Sequence, residues 1–267
     1  SLLANNSANV HINSGHLNTC HRFHCTADSS LNSLLSAFCS IDGNKMLVTG
    51  GGRTATRIAA ELGIESHMID SRRITDEPML RVVTMVYAGL VNKTVVAELQ
   101  ARGVNAIGLC GADMDVIHST RRPAAPIDYG FVGDVKTVNT KALKTLVDSG
   151  AVPVLCPITH DGLGQLLNTN ADPIAQSVAS ALAGEYDVTL TFCFEKNGVL
   201  LDPDDPSSVI SELRYKDYVR YRESEVIAGG MIPKLENSFD AIHAGVSEVV
   251  ITRADQLGQG TGTTIRK

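Results

Sequence analysis

The chain has 267 residues, a net charge of −6 and a sequence pI of about 5.7. Hydrophobic residues make up 43% and charged residues 19%, which is the composition of a globular protein and excludes a disordered chain. The acidic balance and the 4% aromatic content argue against a nucleic-acid-binding protein. No apolar run reaches the roughly 18 residues of a membrane-spanning helix, so we expect no membrane partner.

Residues 1–29 differ from the rest of the chain. Thirteen of the first 36 residues are Ser or Asn, and four histidines lie among the first 24. The stretch CHRFHC, from Cys20 to Cys25, matches no common zinc-ligand spacing, so we predict no metal site there. The six cysteines contain no Cys-x-x-Cys pair, which favours a reducing cytoplasm. Four of them have apolar neighbours and are predicted to be buried thiols: Cys39, Cys110, Cys156 and Cys193.

Strands and helices alternate from residue 30 onward. Helical spacing predicts helices over 31–40, 53–63, most of 76–103, 140–150, a segment that begins near Asp172 and Pro173, and 229–245. Apolar runs predict strands over 45–49, 104–111, 151–159, 187–194 and 246–252. Residues 128–139 are predicted to form a hairpin-type excursion, and 197–206 a turn-rich loop. This alternation predicts an α/β protein whose mainly parallel sheet is covered on both faces.

Two motifs in the first half of the chain could bind anions. The stretch TGGGRTATR, Thr49 to Arg57, places glycines after a strand, where backbone N–H groups can surround an anion at a helix N-terminus. A purely structural tight turn explains it equally well. In SRRITD, Ser71 to Asp76, two arginines could clamp a carboxylate, or they could be solvated surface charges.

Two further motifs lie in the second half. In LLNTNADPIA, Asn168, Asn170 and Asp172 alternate, so in an extended stretch they would share one face and could position a substrate. The same residues could instead be turn and cap residues. In GGMIPKLENS, Lys234 follows a Gly-Gly helix start and could lean toward the helix N-terminus, where phosphates bind, or it could be a solvated surface lysine.

Taken in series, these motifs resemble the acetylglutamate kinase family. TGGGR, RRIT, GLVNK, GFVGDV, LNTNAD and GGMIPK occur in the order and approximate spacing of that family, over about residues 30–267. The resemblance implies the amino acid kinase (carbamate-kinase-like) fold, a three-layer αβα sandwich with a mainly parallel central sheet. It implies a single domain over 1–267, with an acyl-amino-acid-binding half at about 1–165 and a nucleotide-binding half at about 166–267.

The resemblance also implies an activity and its residues. Members of the family use ATP, as its Mg²⁺ complex and with no tightly bound cofactor, to phosphorylate the side-chain carboxylate of N-acetylglutamate or another N-acylglutamate in arginine biosynthesis. They are cytoplasmic, act on small molecules and form homodimers. The implied catalytic residues are Lys234 and Asp172, with no protein metal site. The implied substrate-binding residues are Gly50, Gly51, Arg73, Asn168 and Asn170, the last in the same strand as Asn168. The implied nucleotide-binding residues are Phe194, Glu195, Lys196, Asn197, Gly198, Val199, Val226, Ile227 and Ala228.

The chain departs from the family near its start. The family's Lys-x-Gly-Gly loop would fall near Thr19, His21 and Arg22, where neither lysine nor glycine stands, and Thr49 replaces a histidine. An alternative is therefore a catalytically impaired or non-catalytic relative that binds acylglutamate and nucleotide. A nucleotide-dependent oxidoreductase built on the same glycine loop is disfavoured, because no acidic residue stands where a ribose would be bound.

Overall fold

The computed structural model describes residues 7–12, 16–21, 29–69, 72–194 and 196–267, with the backbone alone for 7–12, 16–21, 29–30 and 194. The strands are β1 (Ser7–Ile12), β2 (His16–His21), β3 (Asn44–Val48), β4 (Met68–Ile69), β5 (Arg72–Arg73), β6 (Ala106–Leu109), β7 (Ile117–Arg121), β8 (Val132–Val138), β9 (Val152–Leu155), β10 (Ile158–His160), β11 (Leu166–Thr169), β12 (Asp187–Phe194), β13 (Glu212–Arg214), β14 (Glu248–Arg253) and β15 (Thr263–Arg266). The α-helices are α1 (Ser29–Cys39), α2 (Gly52–Glu61), α3 (Glu77–Thr84), α4 (Asn92–Ala101), α5 (Thr140–Asp148), α6 (Ala171–Leu182), α7 (Tyr215–Glu223) and α8 (Met231–His243).

The central sheet has the strand order β13-β15-β14-β12-β1-β2-β3-β9-β6. Strands β2, β3, β9 and β6 run parallel in succession, and β12 runs parallel to β14 and to β2. Antiparallel pairing is confined to β1 and to the β14–β15 pair. The prediction of a mainly parallel sheet is confirmed.

The strands place alternate side chains on opposite faces, as the two-residue period of a strand requires. In β3, Met46 and Val48 join a core with α5, α6 and α8, whereas Leu47 joins a second core with α1 and α4. In β9, Leu155 and Val154 divide in the same way. Both faces of the sheet therefore carry apolar side chains, and helices pack on both faces. The predicted three-layer αβα arrangement is confirmed.

One continuous helix runs from Glu77 to Ala101 as α3, a π-helical turn at Met85–Val91, and α4. Asp76 caps its start, since its side chain accepts a 2.9 Å hydrogen bond from the Met79 N–H. Within the described residues it is the one helix long and apolar enough to match a membrane span by length and composition. Its apolar side chains pack against α2 and against β6 and β9.

A second, four-stranded closed sheet has the order β10-β11-β8-β7. The predicted excursion at 128–139 is its strand β8, which pairs antiparallel with β7. The sequence analysis did not predict β7, β13, α7 or β15, and β15 follows the predicted strand at 246–252. All four cysteines with described side chains are free thiols, but only Cys156 and Cys193 are buried; Cys39 and Cys110 are half-buried, which corrects the prediction.

The long helix crosses β6 at Gly108, so closely that a side chain there has no room. A Cβ at Gly108 would lie 1.9 Å from Asn92 Oδ1, and Asn92 is held in place because its Nδ2 donates to the Val154 carbonyl at 2.8 Å. We expect Gly108→Ala to lower the free energy of unfolding by about 1–3 kcal/mol in urea denaturation. Gly89→Ala is the control, since Gly89 is an exposed helix residue with nothing within 4 Å. Equal stability of the two variants would contradict this account of the crossing.

Candidate active site

An open cavity with about 660 Å³ of empty space lies where the loop after β3, strand β5, the long helix and the β11–α6 junction meet. All five predicted substrate-binding residues line it, although 120 residues separate the first from the last in the sequence (170 minus 50). Its full lining is Gly50, Gly51, Gly52, Met68, Arg72, Arg73, Tyr87, Val132, Asn168, Thr169, Asn170 and Ala171. The fold therefore brings the motifs TGGG, RR and NTN to one place.

The glycine loop, residues 49–52, is held to β9 at its first residue, and its last residues form the uncapped N-terminus of α2. Thr49 binds the Leu155 carbonyl through its N–H at 2.7 Å and its hydroxyl at 3.2 Å. Gly51 has φ +148°, and a Cβ there would lie 2.8 Å from Tyr87 Cδ1, so only glycine fits. Gly51 is also the N-cap of α2 and offers no side-chain cap, which leaves helix N–H groups beside the cavity for an anion.

Arg73 is buried, with 7% of its surface exposed. Its guanidinium donates to Ser66 Oγ at 2.9 Å, to the Gly52 carbonyl at 2.9 Å and to Thr56 Oγ1 at 2.8 Å. All of these acceptors are neutral, and no carboxylate among the described residues forms an ion pair with Arg73. A buried cation without an ionic partner is costly, so this corner of the cavity favours an anionic ligand.

Asn168 and Asn170 do not lie in one extended stretch. Strand β11 ends at Thr169, and Asn170 is the N-cap of α6, its side chain accepting a hydrogen bond from the Asp172 N–H at 3.2 Å. The prediction that Asn168, Asn170 and Asp172 share a strand face is wrong, and so is the placement of Asn170 in the same strand as Asn168. The alternative interpretation, of cap residues, is correct for Asn170.

Lys234 is buried and not a surface lysine. Its side chain is 5% exposed, and its Nζ lies 3.3 Å from Asp172 Oδ2 and 5.1 Å from the centre of the Phe192 ring. The carboxylate belongs to the first turn of α6 and the ammonium to the first turns of α8, so the pair joins two helix N-termini. Asn170, which lines the cavity, stands two residues before Asp172 at the start of α6.

The predicted nucleotide-binding residues fall in two segments. Strand β12 ends at Phe194, whose side chain, like the whole of Glu195, lies outside the described residues. Lys196 and Asn197 donate to the carbonyls of Pro203 and Pro206, and the Val199 N–H donates to Thr263 Oγ1 at 2.8 Å. The second segment is Val226, Ile227 and Ala228, which connects α7 to α8 and so leads directly to the helix of Lys234.

Several lining residues were missed by the sequence analysis. Tyr87, which is 5% exposed, gave no signal within a long apolar helix, and Met68 and Val132 belong to no motif that the sequence analysis singled out. Thr19 and His21 lie in β2, where His21 is paired with Val48 next to the glycine loop; their side chains lie outside the described residues, as do Arg22 and most of the CHRFHC stretch. Among the residues whose side chains the structure describes, no group of three or more His, Cys, Asp or Glu could hold a metal ion.

Comparisons with known proteins identify the family to which the chain belongs. The family model described as the amino acid kinase family matches residues 25–253, and the chain belongs to that family. The acetylglutamate kinase of Bacteroides fragilis is 59% identical over 240 residues, which is 90% of this chain and 92% of that protein. The resemblance to acetylglutamate kinases drawn from the motifs is confirmed.

Two solved structures show the same fold at low sequence identity. The N-acetylglutamate synthase from Neisseria gonorrhoeae gives a TM-score of 0.77 at 22% identity, over 92% of this chain and 58% of that chain. The carbamate kinase of Giardia gives a TM-score of 0.62 at 12% identity, over 91% and 93% of the two chains. The predicted carbamate-kinase-like fold is confirmed.

The burial of the Lys234–Asp172 pair gives a stability prediction. We expect Asp172→Asn to lower the free energy of unfolding by about 3 kcal/mol, because it removes the carboxylate that Lys234 contacts in a buried site. Glu61→Gln breaks the exposed Arg57–Glu61 pair and serves as the control, with an expected loss below about 1 kcal/mol. Thermal unfolding of both variants provides the measurement. Similar small losses in the two would show that Asp172 does not hold the ammonium.

Proposed function

We infer that the chain is an enzyme that transfers the γ-phosphoryl group of ATP to the side-chain carboxylate of N-acetylglutamate and produces an acyl phosphate, a step of arginine biosynthesis. The observation that carries this inference is the cavity itself. It combines an open helix N-terminus at Gly51–Gly52, a buried arginine without an ionic partner among the described residues, and the start of helix α6, whose Asp172 contacts the buried Lys234. The identity to acetylglutamate kinases supports the choice of substrate.

The chemistry requires little of the protein beyond placement and charge. The attacking group is already a carboxylate, so no general base is needed, and catalysis depends on alignment and on offsetting negative charge at the phosphoryl oxygens. We propose that Arg73 binds the α-carboxylate, that Asn168 and Asn170 position the acylamino acid, and that the N–H groups at Gly50 and Gly51 face the transferred phosphoryl group.

We assign the stabilising cation to Lys234. Its contact with Asp172 fixes the direction of the ammonium. Asp172 therefore orients the lysine and does not act as a base. A buried ammonium in a site of low dielectric constant stabilises developing charge more strongly than a solvated one. ATP enters as its Mg²⁺ complex, so the metal arrives with the substrate.

We propose that the nucleotide lies over the second half of the chain, about 166–267, against 194–199 and 226–228, and that 1–165 provides most of the acyl-amino-acid site. The connection from Val226–Ala228 into α8 supports this, because it would place the nucleotide beside Lys234. We further propose a homodimer in the cytoplasm, acting on small molecules without nucleic acid or membrane partners.

The alternative of a non-catalytic relative is not favoured. A protein that only binds these ligands would need Arg73 for the carboxylate, but it would not need a buried lysine held against Asp172. The identity of 59% extends over 240 residues of an acetylglutamate kinase. The departure from the family, a missing Lys-x-Gly-Gly sequence, is limited to the region near residues 19–22.

The direct test is acyl-phosphate formation. Protein incubated with MgATP and N-acetylglutamate in the presence of hydroxylamine should give the hydroxamate, and omission of either substrate should abolish it. We expect Lys234→Met to lower kcat by roughly 10²–10³, the usual effect of losing one charge contact to a transition state. No product above a blank, from folded wild-type protein, would refute the activity.

Arg73 provides a separate test of substrate binding. Lysine keeps the charge but cannot make the forked contact with a carboxylate, so we expect Arg73→Lys to raise the KM for N-acetylglutamate by at least about tenfold. The KM for ATP should stay near its original value. Arg57→Lys, on the exposed side of α2, is the matched control and should change neither constant. An equal rise in both KM values for Arg73→Lys would place this arginine elsewhere in the mechanism.

A further inference from the structure

One buried hydroxyl joins two residues of the cavity that come from distant parts of the chain. Thr75 is 0% exposed and lies between β5 and α3. Its Oγ1 donates to the Arg73 carbonyl at 3.1 Å and accepts from Asn168 Nδ2 at 2.9 Å. Thr75 does not line the cavity itself, so any effect on a ligand passes through its neighbours.

This hydrogen-bond pair decides which way the Asn168 amide points. A hydroxyl carries a single hydrogen, and here that hydrogen is given to the Arg73 carbonyl. Toward Asn168 the oxygen of Thr75 can therefore only accept, which selects the NH₂ end of the amide. Asn168 Oδ1 is left as an acceptor for a ligand.

Backbone hydrogen bonds tie Thr75 to the segment before β8 and, through that segment, to Asn168 in β11. The Thr75 N–H donates to the Tyr129 carbonyl at 2.9 Å, and the Thr75 carbonyl accepts from the Phe131 N–H at 2.7 Å. The Phe131 carbonyl accepts in turn from the Asn168 N–H at 2.9 Å. Between them, a Cβ at Gly130 would lie 2.2 Å from the Thr75 carbonyl, so the approach is as close as a glycine allows. Both the backbone and the side chain of Asn168 are thus fixed relative to Arg73.

We propose that Thr75 is a positioning residue, which turns the Asn168 amide so that its oxygen accepts the N–H of the bound acylamino acid. This rests on the proposed function, in which Arg73 holds the α-carboxylate. The acylamino N–H is attached to the same carbon as that carboxylate, so it comes within reach of a group tied to the Arg73 backbone. The site thereby selects an acylamino acid over the acyloxy compound of the same shape, which has no hydrogen to donate.

The test compares N-acetylglutamate with 2-acetoxyglutarate, in which an ester oxygen replaces the N–H. Thr75→Val keeps the shape and removes the hydroxyl, so the Asn168 amide can turn over. We expect the KM for N-acetylglutamate to rise about tenfold, the value of one hydrogen bond. The KM for the ester should stay unchanged or fall, so the preference for the amide shrinks. The kcat with N-acetylglutamate and the KM for ATP should change much less.

Two further variants separate positioning from a loss of stability. Thr75→Ser keeps the hydroxyl and should keep the wild-type preference. Gly108→Ala, whose expected loss of stability arises where the long helix crosses β6 and not at a lining residue, should lower the melting temperature without changing the preference. Thr75→Ala takes the place of Thr75→Val should the valine variant not fold. A wild-type amide-to-ester ratio in the variants without the hydroxyl would overturn the proposal, whereas inactivity of the wild-type protein on N-acetylglutamate would instead refute the proposed function.

Discussion

The buried guanidinium of Arg73 is the feature on which the rest of the site depends. Its partners are a hydroxyl of Ser66, a hydroxyl of Thr56 and the carbonyl of Gly52, which fix its direction but do not neutralise its charge. A cation held in this way creates a local positive potential that the overall charge of −6 does not cancel. An acidic protein can therefore attract an anionic ligand to this place, because the relevant field is local.

Lys234 is another buried cation, and its charge is balanced differently. Its contact with Asp172 offsets the desolvation of the ammonium, whereas for Arg73 that offset is left to the ligand. In the function proposed above, this difference suits the two tasks, since Arg73 would bind a carboxylate that arrives with the substrate, whereas Lys234 would keep its direction while charge develops on the phosphoryl group. The start of α6 connects them, because Asn170 lines the cavity and Asp172, two residues later, contacts Lys234.

Five of the residues that line the cavity were predicted from the motifs in series and the family they resemble, because each motif alone had a structural explanation as well. Glycines after an apolar run, and arginines before a helix, can be recognised without knowing the fold. Asn170 could not be assigned, since alternating polar residues are compatible with a strand face and with a capped helix start, and only the end of β11 at Thr169 decides between them. The closed sheet of β7, β8, β10 and β11 escaped prediction because its short strands are defined by pairing between distant segments.

The π-helical turn at Met85–Val91 shows why the structural and functional interpretations of the glycine loop are not alternatives. The turn carries Tyr87, whose ring packs so close to Gly51 that no Cβ fits between them. The positive φ of Gly51 sets the N-terminus of α2 beside the cavity without a side-chain cap. The tight turn that packing requires is thus the same feature that leaves helix N–H groups free for an anion, and a single residue type satisfies both. The sequence pattern cannot distinguish a structural turn from an anion-binding loop here, because the same backbone conformation of Gly51 serves as both.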